Sequence, residues 1–231
     1  MRDYTRGNAD ARAFLTEAVV RLILVRHGET DWNRNARLQG STDLPLSQTG
    51  RAQGLAVSKR LSLEKVDALV SSPLLRAAET ARMISDARPA GPSPRFEPLL
   101  TEVHLGAWEG LTIEELRQRF PRELDRWRTD PRRVPPGGEP RRSTAARIGS
   151  FISRLAGDST ETVVIVGHLL VFQALICALM GISPRSRWPF HLYAASLSEL
   201  RIEGRTTSII QLNNLSHLGA AGLDVESIRD R

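Results

Sequence analysis

The sequence contains a single cysteine, Cys177, and aromatic residues make up only 5% of it. One cysteine cannot form a disulfide within the chain and excludes a zinc site built from cysteines, so a reducing, cytoplasmic setting is expected. The first 20 residues lack the continuous apolar core of a signal peptide. We therefore expect residues 1–20 to form an N-terminal extension that precedes the folded domain.

The longest apolar run, residues 163–180, is interrupted by Gly167, His168 and Gln173. A membrane-spanning helix needs about 20 predominantly apolar residues. A buried strand, TVVIVG, followed by a turn and a core helix, LLVFQALICALM, explains the run better. We therefore expect no membrane association, and we expect His168 to lie at the junction between a strand and a helix.

Lysine is also scarce, because only Lys59 and Lys65 among the 32 basic residues are lysines. The arginines are spread along the whole chain, and many stand beside acidic residues, as in RQRFPRELDRWRTD. This scatter, together with the few aromatic side chains available for base stacking, disfavours a nucleic-acid partner. The formal net charge of +6 would still attract anionic substrates.

Apolar strand-like runs alternate with helical patterns along most of the 231 residues. Repeated strand–helix units predict an α/β fold, a three-layer α/β/α sandwich around a mostly parallel central sheet. We predict one domain over residues 21–231. Its predicted strands are residues 22–25, VDALVSS, RFEPLL and TVVIVG, followed by a C-terminal hairpin of AASLSELRIEG and TTSIIQLNN.

Capping residues predict where several helices begin and end. Ser47 is the expected N-cap of the first long helix, and Pro73 is expected in the first turn of the next. A later helix, STAARIGSFISRLAG, would be capped by Ser143 or Thr144 and would end at Gly157. These signals support the alternation of strands and helices.

Prolines mark a different kind of segment in the middle of the chain. Residues 103–140 are predicted to form a small helical cap inserted into the domain, with short helices broken by Pro121 and Pro131. The apolar helix after TVVIVG is expected to end near Gly181, ahead of Pro184.

Polar side chains follow each predicted parallel strand at its carboxyl end, which is where open α/β sheets bind ligands. RHGETDWN follows the first strand, SSPLLRAAET the second, TEVHLGAWEG the third and GHLL the fourth. Two histidines, two arginines and a glutamate are thus brought to one edge. Arginine suits phosphate, and a neutral histidine whose other nitrogen is held can attack phosphorus. The segments contain no metal-ligand or P-loop pattern, so neither a metal nor a cofactor is expected.

RHGETDWN resembles the signature of the histidine phosphatase superfamily, which includes cofactor-dependent phosphoglycerate mutases and many small phosphatases. The resemblance covers about residues 21–217. It extends, in the family's order, to RLQGSTDLPLSQTGRAQG, SSPLLRAAETA, EVHLGAWEG, PPGGEP and VGH. It implies a phosphoglycerate mutase-like fold and a metal-independent phosphomonoesterase that acts on small phosphorylated metabolites through a phosphohistidine.

The resemblance implies catalytic roles for five residues. His27 resembles the nucleophile, and Glu102 resembles the general acid that later activates water. His168 resembles the second pocket histidine, which binds the phosphoryl oxygens. Arg26 and Arg76 resemble the arginines that clamp the phosphate.

A further group is implied to form the substrate-binding part of the site, namely Gly28, Thr30, Asn33, Gln39 and His217. Asn33 matches a side chain that contacts the phosphate, and Gln39 one that lines the pocket mouth. Gly28 is expected to let the backbone come close to the nucleophile ring, and Thr30 belongs to the same signature. His217 resembles a late histidine that can approach the substrate.

The choice of general acid rests on position, since Glu29 and Glu109 compete with Glu102, which follows the third predicted strand directly. Two positions depart from the family's pattern. Leu169 stands where many relatives have glycine, and it is expected either to narrow the pocket floor or to shift the helix start. Pro140 stands where a serine commonly caps the next helix, so Ser143 is expected to take over that cap.

Several activities stay open at this point. Mutases of the family carry a long insertion after the acid, whereas residues 102–138 are only a moderate stretch, which favours a phosphatase of phosphoserine, α-ribazole phosphate or broad specificity. A cofactor-dependent phosphoglycerate mutase is the alternative. A catalytically silent phosphate-binding regulatory module would be expected to have lost His27, an arginine or the acid, and all are present. We expect a small-molecule partner and leave homodimerisation open.

Overall fold

The computed structural model describes residues 19–130, 133–155, 161–183, 190–204 and 206–229. Most of the predicted N-terminal extension, residues 1–18, lies outside these ranges. Pro131, Gly157 and Pro184 also lie outside them, so their predicted parts in ending helices stay predictions.

Within these ranges, six strands form one sheet. They are β1 (Val19–Arg26), β2 (Ala68–Ser71), β3 (Pro94–Phe96), β4 (Thr162–Gly167), β5 (Leu197–Glu203) and β6 (Thr206–Asn214). Their order is β3-β2-β4-β1-β5-β6; the first four are parallel, and β5 and β6 are antiparallel additions. The predicted mostly parallel sheet and the C-terminal hairpin are therefore confirmed. The third strand is shorter than RFEPLL, because Pro98 opens a 3-10 turn, Pro98–Leu100.

The helices of the described residues lie on both faces of this sheet. They are α1 (Asp31–Arg34), α2 (Gln48–Leu61), α3 (Leu75–Asp86), α4 (Ile113–Arg119), α5 (Pro121–Thr129), α6 (Arg141–Leu155), α7 (Leu169–Met180), α8 (Ser216–Ala220) and α9 (Val225–Arg229). Neighbouring strand residues point to opposite faces, so Leu24 belongs to a core with α6 and α7, while Val25 belongs to a core with α2 and α3. The three-layer α/β/α architecture is confirmed.

Two predicted helix ends are confirmed and one is wrong. The Ser47 side chain accepts a hydrogen bond from the N–H of Gly50 and caps α2. Gly181 ends α7 in the left-handed conformation, with φ 71°. Pro73 is not in the first turn of α3, because that helix begins at Leu75 and Leu74 is its N-cap.

The predicted caps of α6 are also wrong. The helix begins at Arg141, so Ser143 and Thr144 already lie in its first turn. Both of their N–H groups donate to the carbonyl oxygen of Pro140. Proline can start a helix in this way because its carbonyl is free to accept, and the missing N–H is not needed there.

The segment predicted as a cap contains the 3-10 turn Gly106–Trp108 and the helices α4 and α5. Pro121 is the first residue of α5, where a proline favours helix formation, so it separates two helices by starting the second. Leu116 and Leu124 are buried in the core that Leu24 shares with α6 and α7. The segment therefore packs onto the sheet domain. The predicted limits of the cap, residues 103–140, and of the domain, residues 21–231, stay predictions. No helix in the described part of the chain is long and apolar enough to cross a membrane.

Candidate active site

The carboxyl ends of three adjacent parallel strands bring the predicted site residues together. His27 follows β1, and its N–H donates to the carbonyl oxygen of Gly167 in β4 at 3.0 Å. The strand β4 leads directly into His168, which is the N-cap of α7. The two histidine rings lie 5.1 Å apart, centroid to centroid, with an angle of 55° between their planes.

The hydrogen bonds of His27 decide which of its nitrogens can react. Nδ1 lies 2.7 Å from the carbonyl oxygen of Gly28, and a carbonyl can only accept, so Nδ1 carries the proton. In the neutral ring the lone pair is then on Nε2. Burial lowers the pKa of His27 well below 6.5, and the neighbouring Arg76 and Arg26 lower it further. The ring is therefore held as a neutral nucleophile.

The loop that carries His27 is packed tightly against helix α2. A side chain at Gly28 would place its Cβ 2.4 Å from the carbonyl oxygen of Gly50, and one at Gly50 would meet the carbonyl oxygen of Glu29 at 2.0 Å. Backbone contacts of this kind cannot yield to a methyl group. The packing of helix α2 thus adds a second requirement for glycine at position 28, beside the expected close approach to the nucleophile ring, where the carbonyl oxygen of Gly28 lies 2.7 Å from Nδ1 of His27.

Two buried arginines flank the histidines. Arg76, only 1% exposed, donates to the carbonyl oxygens of Thr42 at 2.7 Å and Gly40 at 2.8 Å. Arg26 donates to the carbonyl oxygen of Leu192. The Nε atoms of both arginines have no hydrogen-bond partner among the described residues. Burial lowers the pKa of Arg26 to about 10, which still leaves it charged at neutral pH.

Glu102 occupies the amino end of helix α7. Its carboxylate accepts hydrogen bonds from the N–H groups of Val103 at 2.8 Å and of Leu170 and Val171 at 3.1 Å each. His168 is the N-cap residue of α7, but its side chain makes no capping hydrogen bond, so Glu102 caps the helix in its place. Burial raises the pKa of Glu102, although the N–H groups of Val103 and Leu170 and the charges of Arg76 and Arg26 oppose the shift. A raised pKa suits a general acid.

The two competing carboxylates have other partners. Glu29 accepts from the hydroxyl of Ser47 and from the guanidinium of Arg34. Glu109 accepts from the backbone N–H groups of Ser41 and Leu105 and from the hydroxyl of Thr42. Both carboxylates therefore hold loops in place, and this geometry favours Glu102 among the three.

Three of the remaining predicted residues lie in the segment that follows the nucleophile along the chain. Thr30 and Asn33 form a capping box at α1, in which Asn33 Oδ1 accepts from the N–H of Thr30, so the amide NH2 of Asn33 is the donor that remains. The Oε1 atom of Gln39 is buried without a partner among the described residues. Arg26 and Asn33 also line a cleft of about 400 Å³ that extends to Tyr193.

His217 is placed differently from the other predicted residues. It is 7% exposed, and its Nε2 lies 3.0 Å from the carbonyl oxygen of Ala195. Ala195 in turn donates its N–H to the carbonyl oxygen of His27. His217 therefore supports the backbone behind the nucleophile, and its predicted contact with substrate stays a prediction.

One residue of the site was not singled out from the sequence. Ser72 follows β2, is fully buried, and its hydroxyl lies 2.7 Å from Nε2 of His168. Nothing in the local sequence around Ser72 marks it as a partner of a histidine 96 residues further along the chain, so only the structure reveals the contact.

The site's geometry agrees with the sequence comparison, in which residues 22–215 match the histidine phosphatase superfamily (branch 1). The chain belongs to this family. It is 36% identical to phosphoserine phosphatase 1 of Hydrogenobacter thermophilus over 203 residues, which are 87% of this chain and 95% of that protein.

Solved structures of histidine phosphatases share the fold. The native mycobacterial glucosyl-3-phosphoglycerate phosphatase superposes with a TM-score of 0.77 at 30% identity, covering 85% of this chain and 100% of that one. The α-ribazole phosphatase from Shigella flexneri gives a TM-score of 0.76 at 29% identity, covering 84% and 96%. The expected phosphoglycerate mutase-like fold and the assignment as a phosphoric monoester hydrolase are confirmed.

Among the described residues, no group of three or more histidine, cysteine, aspartate or glutamate side chains could hold a metal ion. The cations of this histidine phosphatase site are arginines. The roles of the individual residues stay predictions and are taken up next.

Proposed function

We propose that the protein hydrolyses phosphomonoesters of small metabolites through a phosphohistidine formed on Nε2 of His27. The observation that carries this proposal is the hydrogen bond from Nδ1 of His27 to the carbonyl oxygen of Gly28, which leaves the Nε2 lone pair available. It is supported by the two arginines and the second histidine, which surround the same buried position.

In the first step, the Nε2 lone pair attacks phosphorus as the bond from phosphorus to the ester oxygen breaks. The proton of the Glu102 carboxyl passes to that oxygen, so the leaving group departs as a neutral alcohol. In the second step, Glu102 takes a proton from water, and the oxygen of that water attacks phosphorus. The bond from Nε2 to phosphorus breaks, which releases inorganic phosphate and the free histidine.

Charge on the transferring phosphoryl group is balanced by side chains. The Nε–H groups of Arg26 and Arg76 lack partners among the described residues and are free to donate to phosphoryl oxygens. Asn33 adds an amide donor, and His168 adds a ring nitrogen. Fixed donors in a buried site stabilise a transferring phosphoryl group without reorganisation during the reaction.

We propose a leaving group that carries a hydrogen-bond donor. The Oε1 atom of Gln39 is a buried acceptor without a partner among the described residues. Gln39 directly precedes Gly40, whose carbonyl oxygen accepts a hydrogen bond from Arg76. An amine or a hydroxyl of the substrate would satisfy it. The names of the relatives point the same way, since phosphoserine, glucosyl-3-phosphoglycerate and α-ribazole phosphate all carry such groups. A screen of these esters, 3-phosphoglycerate and sugar phosphates by phosphate release would rank them.

The nucleophile is tested with His27→Ala and p-nitrophenyl phosphate. We expect turnover to be lost almost completely, while the unfolding temperature shows that the variant is folded. Quenching the wild-type reaction in alkali should trap a phosphorylated peptide that contains His27, and acid should release its phosphate. Full turnover in His27→Ala would refute the proposal.

The same trapped enzyme separates hydrolysis from the mutase alternative. The phosphoryl group should pass to water at the same rate with or without 3-phosphoglycerate. Transfer to 3-phosphoglycerate in preference to water would instead establish a mutase.

We further propose that the protein needs no metal, works in the cytoplasm on small molecules and does not bind nucleic acid. Arginine charge in place of a metal cluster predicts that activity is retained in EDTA. The single, buried Cys177 suits a reducing compartment. Homodimerisation stays a prediction, to be tested by light scattering.

A further inference from the structure

Ser72 and His168 meet because their strands are neighbours in the sheet. The strands β2 and β4 pair in parallel, with Ser71 opposite Val166. The N–H of Ser72 donates to the carbonyl oxygen of Val166 at 3.0 Å. The hydroxyl of Ser72 then lies 2.7 Å from Nε2 of His168, and both residues are completely buried.

Counting protons decides the direction of this hydrogen bond. A serine hydroxyl has one proton and two lone pairs. One lone pair accepts from the N–H of Leu74 at 3.3 Å. Within the described part of the chain, His168 is the only other partner of the Ser72 hydroxyl. If Nε2 carried a proton, the hydroxyl proton of Ser72 and the Nδ1 lone pair of His168 would both be buried without a partner among the described residues, whereas a proton on Nδ1 leaves only that N–H unpaired. Each unpaired buried group costs about 1–3 kcal/mol. The hydroxyl therefore donates and Nε2 accepts.

This direction leaves the ring proton of His168 on Nδ1. That atom is buried and has no hydrogen-bond partner among the described residues. The ring lies 5.1 Å from the His27 ring, so a phosphoryl group on His27 would lie within its neighbourhood. Burial lowers the pKa of His168 well below 6.5, and the positive charge of Arg76 lowers it further. The ring is therefore neutral, and its tautomer decides which nitrogen can donate a hydrogen bond.

We propose that Ser72 is a positioning residue for phosphoryl transfer, whose hydroxyl holds His168 in the Nδ1–H tautomer so that Nδ1 donates to a non-bridging phosphoryl oxygen. This proposal rests on the proposed function of His27. With the other tautomer, the Nδ1 lone pair would face the phosphoryl oxygens and repel them. The loss would be larger in the transition state, where more charge is collected on those oxygens.

The tautomer can be measured in the unmodified protein. Nitrogen-15 NMR of the histidine rings distinguishes a protonated ring nitrogen from an unprotonated one, and His168→Asn identifies the signals. We expect a protonated Nδ1 and an unprotonated Nε2 for His168 near neutral pH. A protonated Nε2 would overturn the proposal without the need for any substitution at Ser72.

Ser72→Ala tests the consequence for the reaction. We expect kcat for p-nitrophenyl phosphate to fall about 10- to 100-fold, the loss typical when the partner that orients a metal-ligating histidine is removed, because Ser72 orients His168 in the same way. The His168 signals should move towards a mixture of tautomers, a change that a merely structural role would not produce. Ser72→Thr, which keeps the hydroxyl, should restore the Nδ1–H tautomer and most of the rate.

Ser58→Ala is the matched control, because Ser58 is a buried serine that donates to the carbonyl oxygen of Gly54 in α2. It should leave kcat and the tautomer of His168 unchanged. An unchanged kcat in Ser72→Ala would overturn the proposal. If His27→Ala stays active, the proposed function fails; if it is inactive while Ser72→Ala behaves as wild type, only the role of Ser72 fails.

Discussion

Replacing Glu102 by glutamine separates its two proposed duties, capping helix α7 and carrying a proton. The amide oxygen of glutamine can still accept from Val103 and Val171, which share Oε1. The amide NH2 would take the place of Oε2 and face the N–H of Leu170, donor against donor. Leaving that N–H without an acceptor costs about 1–3 kcal/mol, so the variant should be less stable than wild type but folded.

The effect on the rate should depend on the leaving group. An alkyl phosphate such as phosphoserine needs a proton on the departing oxygen, and general-acid catalysis contributes about 10²–10⁴ in rate. That range corresponds to about 3–5 kcal/mol of activation free energy. A p-nitrophenolate ion is stable near neutral pH without a proton. Phosphoenzyme formation from p-nitrophenyl phosphate should therefore slow less than about tenfold.

Rapid mixing reads the two steps separately. With p-nitrophenyl phosphate, Glu102→Gln should release about one p-nitrophenolate per enzyme in a burst and then turn over slowly, because glutamine cannot activate water for the second step. With phosphoserine, no burst of serine release should be seen, because the first step itself is slow without the acid.

Glu109→Gln is the control, since Glu109 holds Ser41, Thr42 and Leu105 and is not the proposed acid. Any loss in that variant should be the same for both leaving groups. Equal slowing of phosphoenzyme formation from both substrates in Glu102→Gln would refute the role of Glu102 as acid. The variant would then act only by displacing helix α7.

Three further outcomes are expected. Gly28→Ala should lower the unfolding free energy by about 1–3 kcal/mol and abolish most activity, because its Cβ would lie 2.4 Å from the carbonyl oxygen of Gly50; in the control Gly149→Ala, where nothing lies within 4 Å, chemical denaturation should show a gain of about 0.5–1 kcal/mol. Arg76→Lys should reduce kcat/KM at least about 100-fold, since an ammonium cannot hold two carbonyls and still present an Nε–H to phosphate. In pH profiles of kcat/KM, alkyl phosphates should lose rate as pH rises through the raised pKa of Glu102, because the acid must be protonated, whereas p-nitrophenyl phosphate should not; a fall common to both esters would count against that assignment. The lowered pKa of His27 predicts that neither ester shows an acid limb near pH 6.5, because the nucleophile is neutral above its own pKa.

The order of strands and helices was predictable from local patterns. The apolar runs that became β1, β2 and β4 are short and buried on both faces, so nearly every side chain in them is hydrophobic. Ser47 caps the start of α2 and Gly181 ends α7, and each does so through contacts with residues only a few positions away in the chain. Both were predicted correctly for that reason.

Two predicted helix starts failed, and one requirement was not foreseen. Pro73 and Ser143 both have the local chemistry of a helix start. However, α3 begins at Leu75, whose N–H donates to Asp43 in another segment, and α6 begins at Arg141, ahead of Ser143. The close approach of Gly28 to the His27 ring was expected from the motif, but the requirement set by the backbone of Gly50, 22 residues further along the chain, was not. Contacts of that kind leave no trace in a local pattern.

The order of the motifs in the sequence determined the family of this protein. The alternation of strands and helices placed the histidines and arginines at one edge of the sheet, because the carboxyl ends of parallel strands must share that edge. Glu102 comes after β3 and the 3-10 turn Pro98–Leu100. Only the tertiary structure decided how those groups are prepared for chemistry. The free nitrogen of His27 and the tautomer of His168 depend on hydrogen bonds, and burial raises the pKa of Glu102 against the hydrogen bonds that it accepts. These interactions set proton positions, and proton positions determine which atom attacks and which atom donates.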